Sequence, residues 1–241
     1  LTRAMIPDPG DPDGPDGPDS AEHPRRDRAG SGPVFAVPSG RLLVLGLAAF
    51  AGLLCEGAAS DWSAVQLRDS LGASAGVAGS AFVAFSLAMV AGRSVADRVT
   101  ARLGRVRTIR VFTALGALAL AAGLGTGSVA GAICGFGALG AGLSCVIPVL
   151  FGAAGRGPGP SGPAIAAVAT CGYLGWLLGP AIIGGLARVV GLSAALWTLP
   201  LLTAAIGSLA FAVADPAPVP YRSTGGSGQA PETPGARATP V

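Results

Sequence analysis

The stretch Gly92–Arg110, G-R-S-V-A-D-R-V-T-A-R-L-G-R-V-R-T-I-R, carries six arginines (Arg93, Arg98, Arg102, Arg105, Arg107, Arg110) and one acid, Asp97. Apolar runs lie on either side of it, over 74–91 and 111–124. Each run approaches the roughly 20 apolar residues that a helix needs to cross a hydrocarbon core. A short, arginine-dense connection between two such helices is expected on the cytoplasmic side, because lysines and arginines hold short loops there. The stretch therefore orients the whole chain.

Composition agrees with a membrane protein. Of the 241 residues, 51% are hydrophobic and 12% charged, and the mean hydropathy is +0.60. A soluble domain devotes about a quarter of its residues to charge, so this chain lacks the polar surface for a water-soluble globule of its size. Its 39 glycines suit helices that pack in lipid by close backbone approach. Every basic residue is arginine, which reads as codon bias in a GC-rich genome. A net charge of +3, with arginines at helix ends rather than in a stripe with aromatics, does not point to nucleic acid. Cys55, Cys134, Cys145 and Cys171 show no C-x-x-C spacing and read as small packing residues. There is no H-E-x-x-H pair and no phosphate loop followed by lysine, so neither an enzyme nor a cofactor or metal site is expected.

Read in order, residues 1–38 form a polar, proline-rich arm that cannot bury enough apolar surface to order itself. It is expected to be a disordered cytoplasmic arm or interdomain linker, with His23 a solvated tail residue. Residues 39–214 form an all-α, polytopic domain of six transmembrane helices, expected over about 41–60, 74–96, 106–125, 128–154, 163–187 and 192–214. Residues 215–241, again rich in Pro, Gly, Ser and Thr, are expected to be a disordered cytoplasmic tail. Six spans put both termini on one side. Sorted by that alternation, only Arg68 and Arg188 fall in connections opposite the basic one, and the remaining fourteen arginines share its side. The expected location is the inner (plasma) membrane of a bacterium.

The pattern resembles the carboxyl-terminal half of a major facilitator superfamily transporter. That family has two six-helix halves, each an inverted pair of three-helix units. Its G-x-x-x-D-R-x-G-R signature falls between the second and third helices of a half, matched here by Arg102-Leu103-Gly104-Arg105 and on to Arg107. The family's acid position holds Ala101, and the nearest acid is Asp97, one helical turn earlier. In the fifth helix, Gly175-x-x-x-Gly179-Pro180 followed by Gly184-Gly185 looks like the family's glycine–proline helix, with one extra residue before the paired glycines. The segments E-G-A-A-S-D-W-S-A-V-Q-L-R-D and V-I-P-V-L-F-G-A-A-G-R look like the seventh and tenth helices of a bacterial branch with poorly defined substrates. The resemblance covers about 41–214. It implies a missing amino-terminal half, and a first residue Leu1 in place of Met fits a truncated chain.

Several residues stand out. Glu56 lies about 22 Å along the first helix from Arg41, where a carboxylate in an apolar span often relays protons or binds substrate. Proton coupling or substrate contact, with Asp61 a second candidate, is one reading; an extracellular gate or structural network with Asp61 and Arg68 is the other. Tyr173, Trp176 and Pro180 share a helical stripe that either lines a substrate cavity or packs against glycine-rich neighbours. Asp97, Arg98, Arg102, Gly104 and Arg105 read as a gating loop or as topological anchors. Pro148 and Pro180 remove backbone donors within apolar helices, so kinks are expected there. Gly175, Gly179 and Gly184 read as packing positions.

The resemblance implies a secondary active transporter that moves a small solute by alternating access. Its partners would be the lipid bilayer, the solute, protons as candidate coupling ion, and a missing half or second copy. The alternatives are a non-transporting assembly or sensor protein on a half-transporter scaffold, and a half-size transporter acting as a dimer.

Overall fold

The computed structural model describes residues 40–157 and 159–214, so the arm over 1–38, with His23, and the tail over 215–241 lie outside the described residues. Within them the chain forms no strand and six helices long and apolar enough to cross a membrane. These are α1 (Gly40–Ser70), α2 (Ala75–Leu103), α3 (Arg105–Gly125), α4 (Val129–Ala154), α5 (Ser161–Val190) and α6 (Leu192–Val213). The protein is an all-α, multi-pass membrane protein, as its hydropathy predicts.

Two stretches expected as connections are helical. α1 continues ten residues past Ser60 through the polar patch and widens into a π-helical turn over Gln66–Ser70. The patch has an inward side: Gln66 and Leu67 are buried, and the Gln66 amide donates to Ser193 Oγ of α6 at 3.0 Å. The basic stretch is likewise helix on both sides of a single residue. Gly104, at φ 78° and ψ 156°, turns α2 into α3, in a region of backbone space open essentially to glycine alone. Gly191 joins α5 to α6 in the same conformation, at φ 83° and ψ 154°. The second–third and fifth–sixth junctions are thus one turn used twice.

Prolines account for two interruptions. α4 breaks at Ser144–Cys145 and α6 at Leu196–Trp197. Pro148 and Pro200 have no N–H to offer the carbonyl four residues back, which is that of Ser144 and Leu196 respectively. Pro180 differs, because α5 runs helical across it.

α1 and α4 are the most enclosed helices, with 61% of each hydrophobic window buried, against 28% for α2 and 22% for α5. α1 packs on α5, α4 on α2 and α3, and α3 on α6. Glycines set the separation: a β-carbon at Gly140 of α4 would overlap the backbone of Phe85 in α2, and one at Gly175 of α5 would overlap that of Phe50 in α1. Such contacts let helices approach closely where water supplies no driving force between them. The outward surfaces of α2 and α5 expose Phe82, Leu87, Val90, Leu174 and Leu177, so these two helices present apolar faces that the described residues leave uncovered.

Candidate functional site

A pair of opposite charges is held between α1 and α2, at their uncovered edge. Cys55 and Gly57 are buried, while Glu56 between them lies at the edge of the uncovered stripe that runs from Leu43 and Leu47 to Ser60 and Asp61. Counted from Gly40, it sits about 24 Å along the helix. On α2 the buried stripe is Phe85, Met89, Gly92 and Ala96, spaced to follow one helical face. Gly92 touches the break in α4: a β-carbon there would overlap the side chain of Ser144, whose Oγ donates to the Ala141 carbonyl at 2.7 Å. Arg93 follows on the open edge of that stripe. Its Nη2 lies 3.9 Å from Glu56 Oε2, with the Arg93 side chain 50% exposed and that of Glu56 26%. This is an ion pair longer than a hydrogen bond, set within two apolar spans.

The structure therefore gives Glu56 a different partner from the Asp61–Arg68 network considered in the sequence. Arg68 pairs with its neighbour Asp69 at 3.8 Å, and Asp61 is exposed. Arg93 lies within the second helix, as the expected range 74–96 had it, and its partner there is Glu56. α2 runs on to Leu103, ten residues beyond Arg93.

α5 packs along α1 next to Glu56 in sequence, at Gly57. Its buried glycines Gly172, Gly175 and Gly179 lie against Ala49, Phe50 and Leu54 of α1, and Gly184 lies against the Trp62 ring. Trp176 stands next to that seam. Its Cδ1 and carbonyl oxygen lie 3.2 and 3.1 Å from where a Gly57 β-carbon would be, and Pro180 deprives that carbonyl of its helical donor. Trp176 is 55% exposed and Tyr173 67%. Tyr173 and Trp176 are thus both exposed on α5, while Gly175, Gly179 and Gly184 lie against α1 and Gly185 touches nothing.

At the arginine-rich end, the residues read in sequence as one loop separate. Asp97, Thr100 and Arg105 line a cavity of about 140 Å³ together with Pro148 and Arg156 of the α4 side. Arg98 and Arg102 are exposed and do not line it; Arg98 donates to the Ser94 carbonyl at 3.5 Å. One residue that sequence reasoning missed is Arg41. Its Nε donates to Ala212 O at 3.0 Å, and its Nη2 donates to Ala153 O at 3.2 Å and Ala214 O at 3.4 Å. It thereby caps carbonyls at the ends of α4 and α6, which have no intrahelical donors. The single cue in sequence is an arginine at the head of an apolar run, which also reads as a simple topological anchor.

Among the described residues no group of three His, Cys, Asp or Glu side chains gathers as for a metal ion. Cys55 and Cys145 are buried, with Cys55 Sγ 3.7 Å from Leu199 O; Cys134 is exposed.

Comparison with known proteins finds relatives over most of the described helices. The chain is 37% identical over 183 residues to an uncharacterized MFS-type transporter of Yersinia pestis, covering 76% of this chain and 48% of that protein. It is 34% identical over 157 residues to the membrane protein MosC of Rhizobium meliloti, covering 65% and 39%. It is 36% identical over 178 residues to an uncharacterized transporter of Sinorhizobium fredii, covering 72% and 46%. The chain spans about half the length, or less, of the curated relatives it matches. No family model matches it, and no solved structure does.

Proposed function

The chain belongs to the major facilitator superfamily, and from that membership we propose that it forms the carboxyl-terminal half of a secondary active transporter, not an enzyme, moving a small solute by alternating access. The observation that carries the proposal is the Glu56–Arg93 pair. Two opposite charges 3.9 Å apart within apolar spans are costly to keep unless they face a water-filled path or a solute. Their position at the uncovered edges of α1 and α2, with Trp176 packed on neighbouring Gly57, suits the wall of such a path. Glu56 is then the candidate coupling residue for protons, and Asp97 with Arg105 at the far cavity is the candidate gate. Both termini are cytoplasmic in this reading, in the inner membrane. The apolar outer faces of α2 and α5 are covered by a second six-helix body, either further chain or a second copy.

Proteoliposomes that hold a pH-reporting dye, presented in turn with organic acids, sugars and amines, test this reading. A chain carrying both six-helix bodies should give an internal pH change with one solute class, and Glu56→Gln should abolish it while solute exchange still proceeds. Silence toward every class from folded protein would overturn the transporter. The present chain alone, as a demonstrated monomer, should be inert; flux from a stable dimer would favour the half-size reading.

A further inference from the structure

Arg93 and Glu56 are not equal partners. The guanidinium is the more exposed of the two, 50% against 26%. At 3.9 Å the contact is electrostatic, and among the described residues none of the five Arg93 N–H groups is engaged in a hydrogen bond. A planar guanidinium with its donors unspent matches a carboxylate by two parallel hydrogen bonds. Charge along the same helix leans the same way, with Arg98 and Arg102 exposed against one acid, Asp97. Trp176, packed on Gly57 one residue from Glu56 and 55% exposed, adds flat apolar surface near the carboxylate. Ligand sites combine apolar walls with a few placed polar groups in this way.

We propose that Arg93 is an anion receptor, that Glu56 is its resident counter-ion in the empty site, and that the solute is therefore an organic carboxylate with a flat apolar body. The word solute rests on the transporter reading above; the binding site does not. An incoming carboxylate takes the free donors of Arg93 and displaces the Glu56 carboxylate from it. Two carboxylates against one guanidinium leave a negative charge uncompensated, so Glu56 weakens the anion it makes room for.

The test is binding to the 241-residue chain in nanodiscs of zwitterionic lipid, followed by titration calorimetry. Benzoate is the probe, and benzylammonium and benzyl alcohol are matched controls of opposite and no charge. Benzoate should bind in preference to both controls. Glu56→Gln should tighten benzoate about tenfold, Arg93→Gln should abolish it, and Arg93→Lys, which keeps the charge but not the fork, should retain weakened binding. The proposal falls if no variant binds benzoate, if Arg93→Gln leaves benzoate unchanged, or if benzylammonium binds better and loses that binding in Glu56→Gln. Should Arg93→Gln fail to fold, unchanged benzoate affinity in both Arg93→Lys and Glu56→Gln overturns it equally. Arg93-dependent binding without transport by any longer chain would strike the transporter reading alone.

Discussion

Gly175 of α5 sits on the backbone of Phe50 in α1, so close that a β-carbon would overlap the Phe50 carbonyl oxygen. Substitution must push the two helices apart along their whole seam. Gly175→Ala should destabilise the protein by about 1–3 kcal/mol, the usual cost of overpacking, and Gly175→Val by more. Gly185→Ala, ten residues along the same helix with nothing within 4 Å of its β-position, should be neutral. Thermal unfolding in detergent, followed by size exclusion, separates the two.

Arg41 donates to three carbonyls at the ends of α4 and α6. Arg41→Gln should cost about 1–2 kcal/mol, the scale of lost charge-assisted hydrogen bonds at a partly exposed site. Arg41→Lys should recover part of that loss, because one ammonium cannot span all three acceptors as a guanidinium does. The unfolding midpoints of the three proteins should fall in the order Arg, Lys, Gln.

Gly104 turns between α2 and α3 at a φ of 78°. Gly104→Ala places a β-carbon in backbone space that costs about 1–3 kcal/mol, although nothing within 4 Å would obstruct it. Gly191→Ala should behave alike, since its φ is 83°. Gly125→Ala, inside the last turn of α3 with open space around it, should leave the midpoint unchanged or raise it slightly.

The inferred orientation has a direct test in a cysteine-free variant held in right-side-out vesicles. A cysteine at Leu103, which is 43% exposed beside Gly104, should resist an impermeant thiol reagent. One at Asp69, exposed at the other end, should react. The reverse pattern would invert the topology, and labelling at both would break the six-span arrangement.

The six spans were legible because long apolar runs set off by charged or glycine-rich stretches are a property of composition that needs no partner. Glu56 was legible for the same reason, as a charge where hydropathy allows none. Arg93 was not recognised as its partner, although the helix expected over 74–96 contained it, because six arginines in a run read as one basic block and only packing brings α2 against α1. The interruption at Leu196–Trp197 could have been read from Pro200, whose missing donor falls on the Leu196 carbonyl. The acceptors of Arg41 could not, since helix-end carbonyls carry no side-chain signature and only packing brings them to α1.

Those acceptors also have a history in time. Ala214 lies 173 residues after Arg41, so at about 5–20 residues per second of synthesis the guanidinium waits roughly 10 to 30 s for the last of its partners to be made. The bonds to the end of α6 are then a completion step, closed only after the sixth helix has been delivered, and chains halted before α6 should be recognisable to quality control by an arginine that holds its α4 acceptor alone.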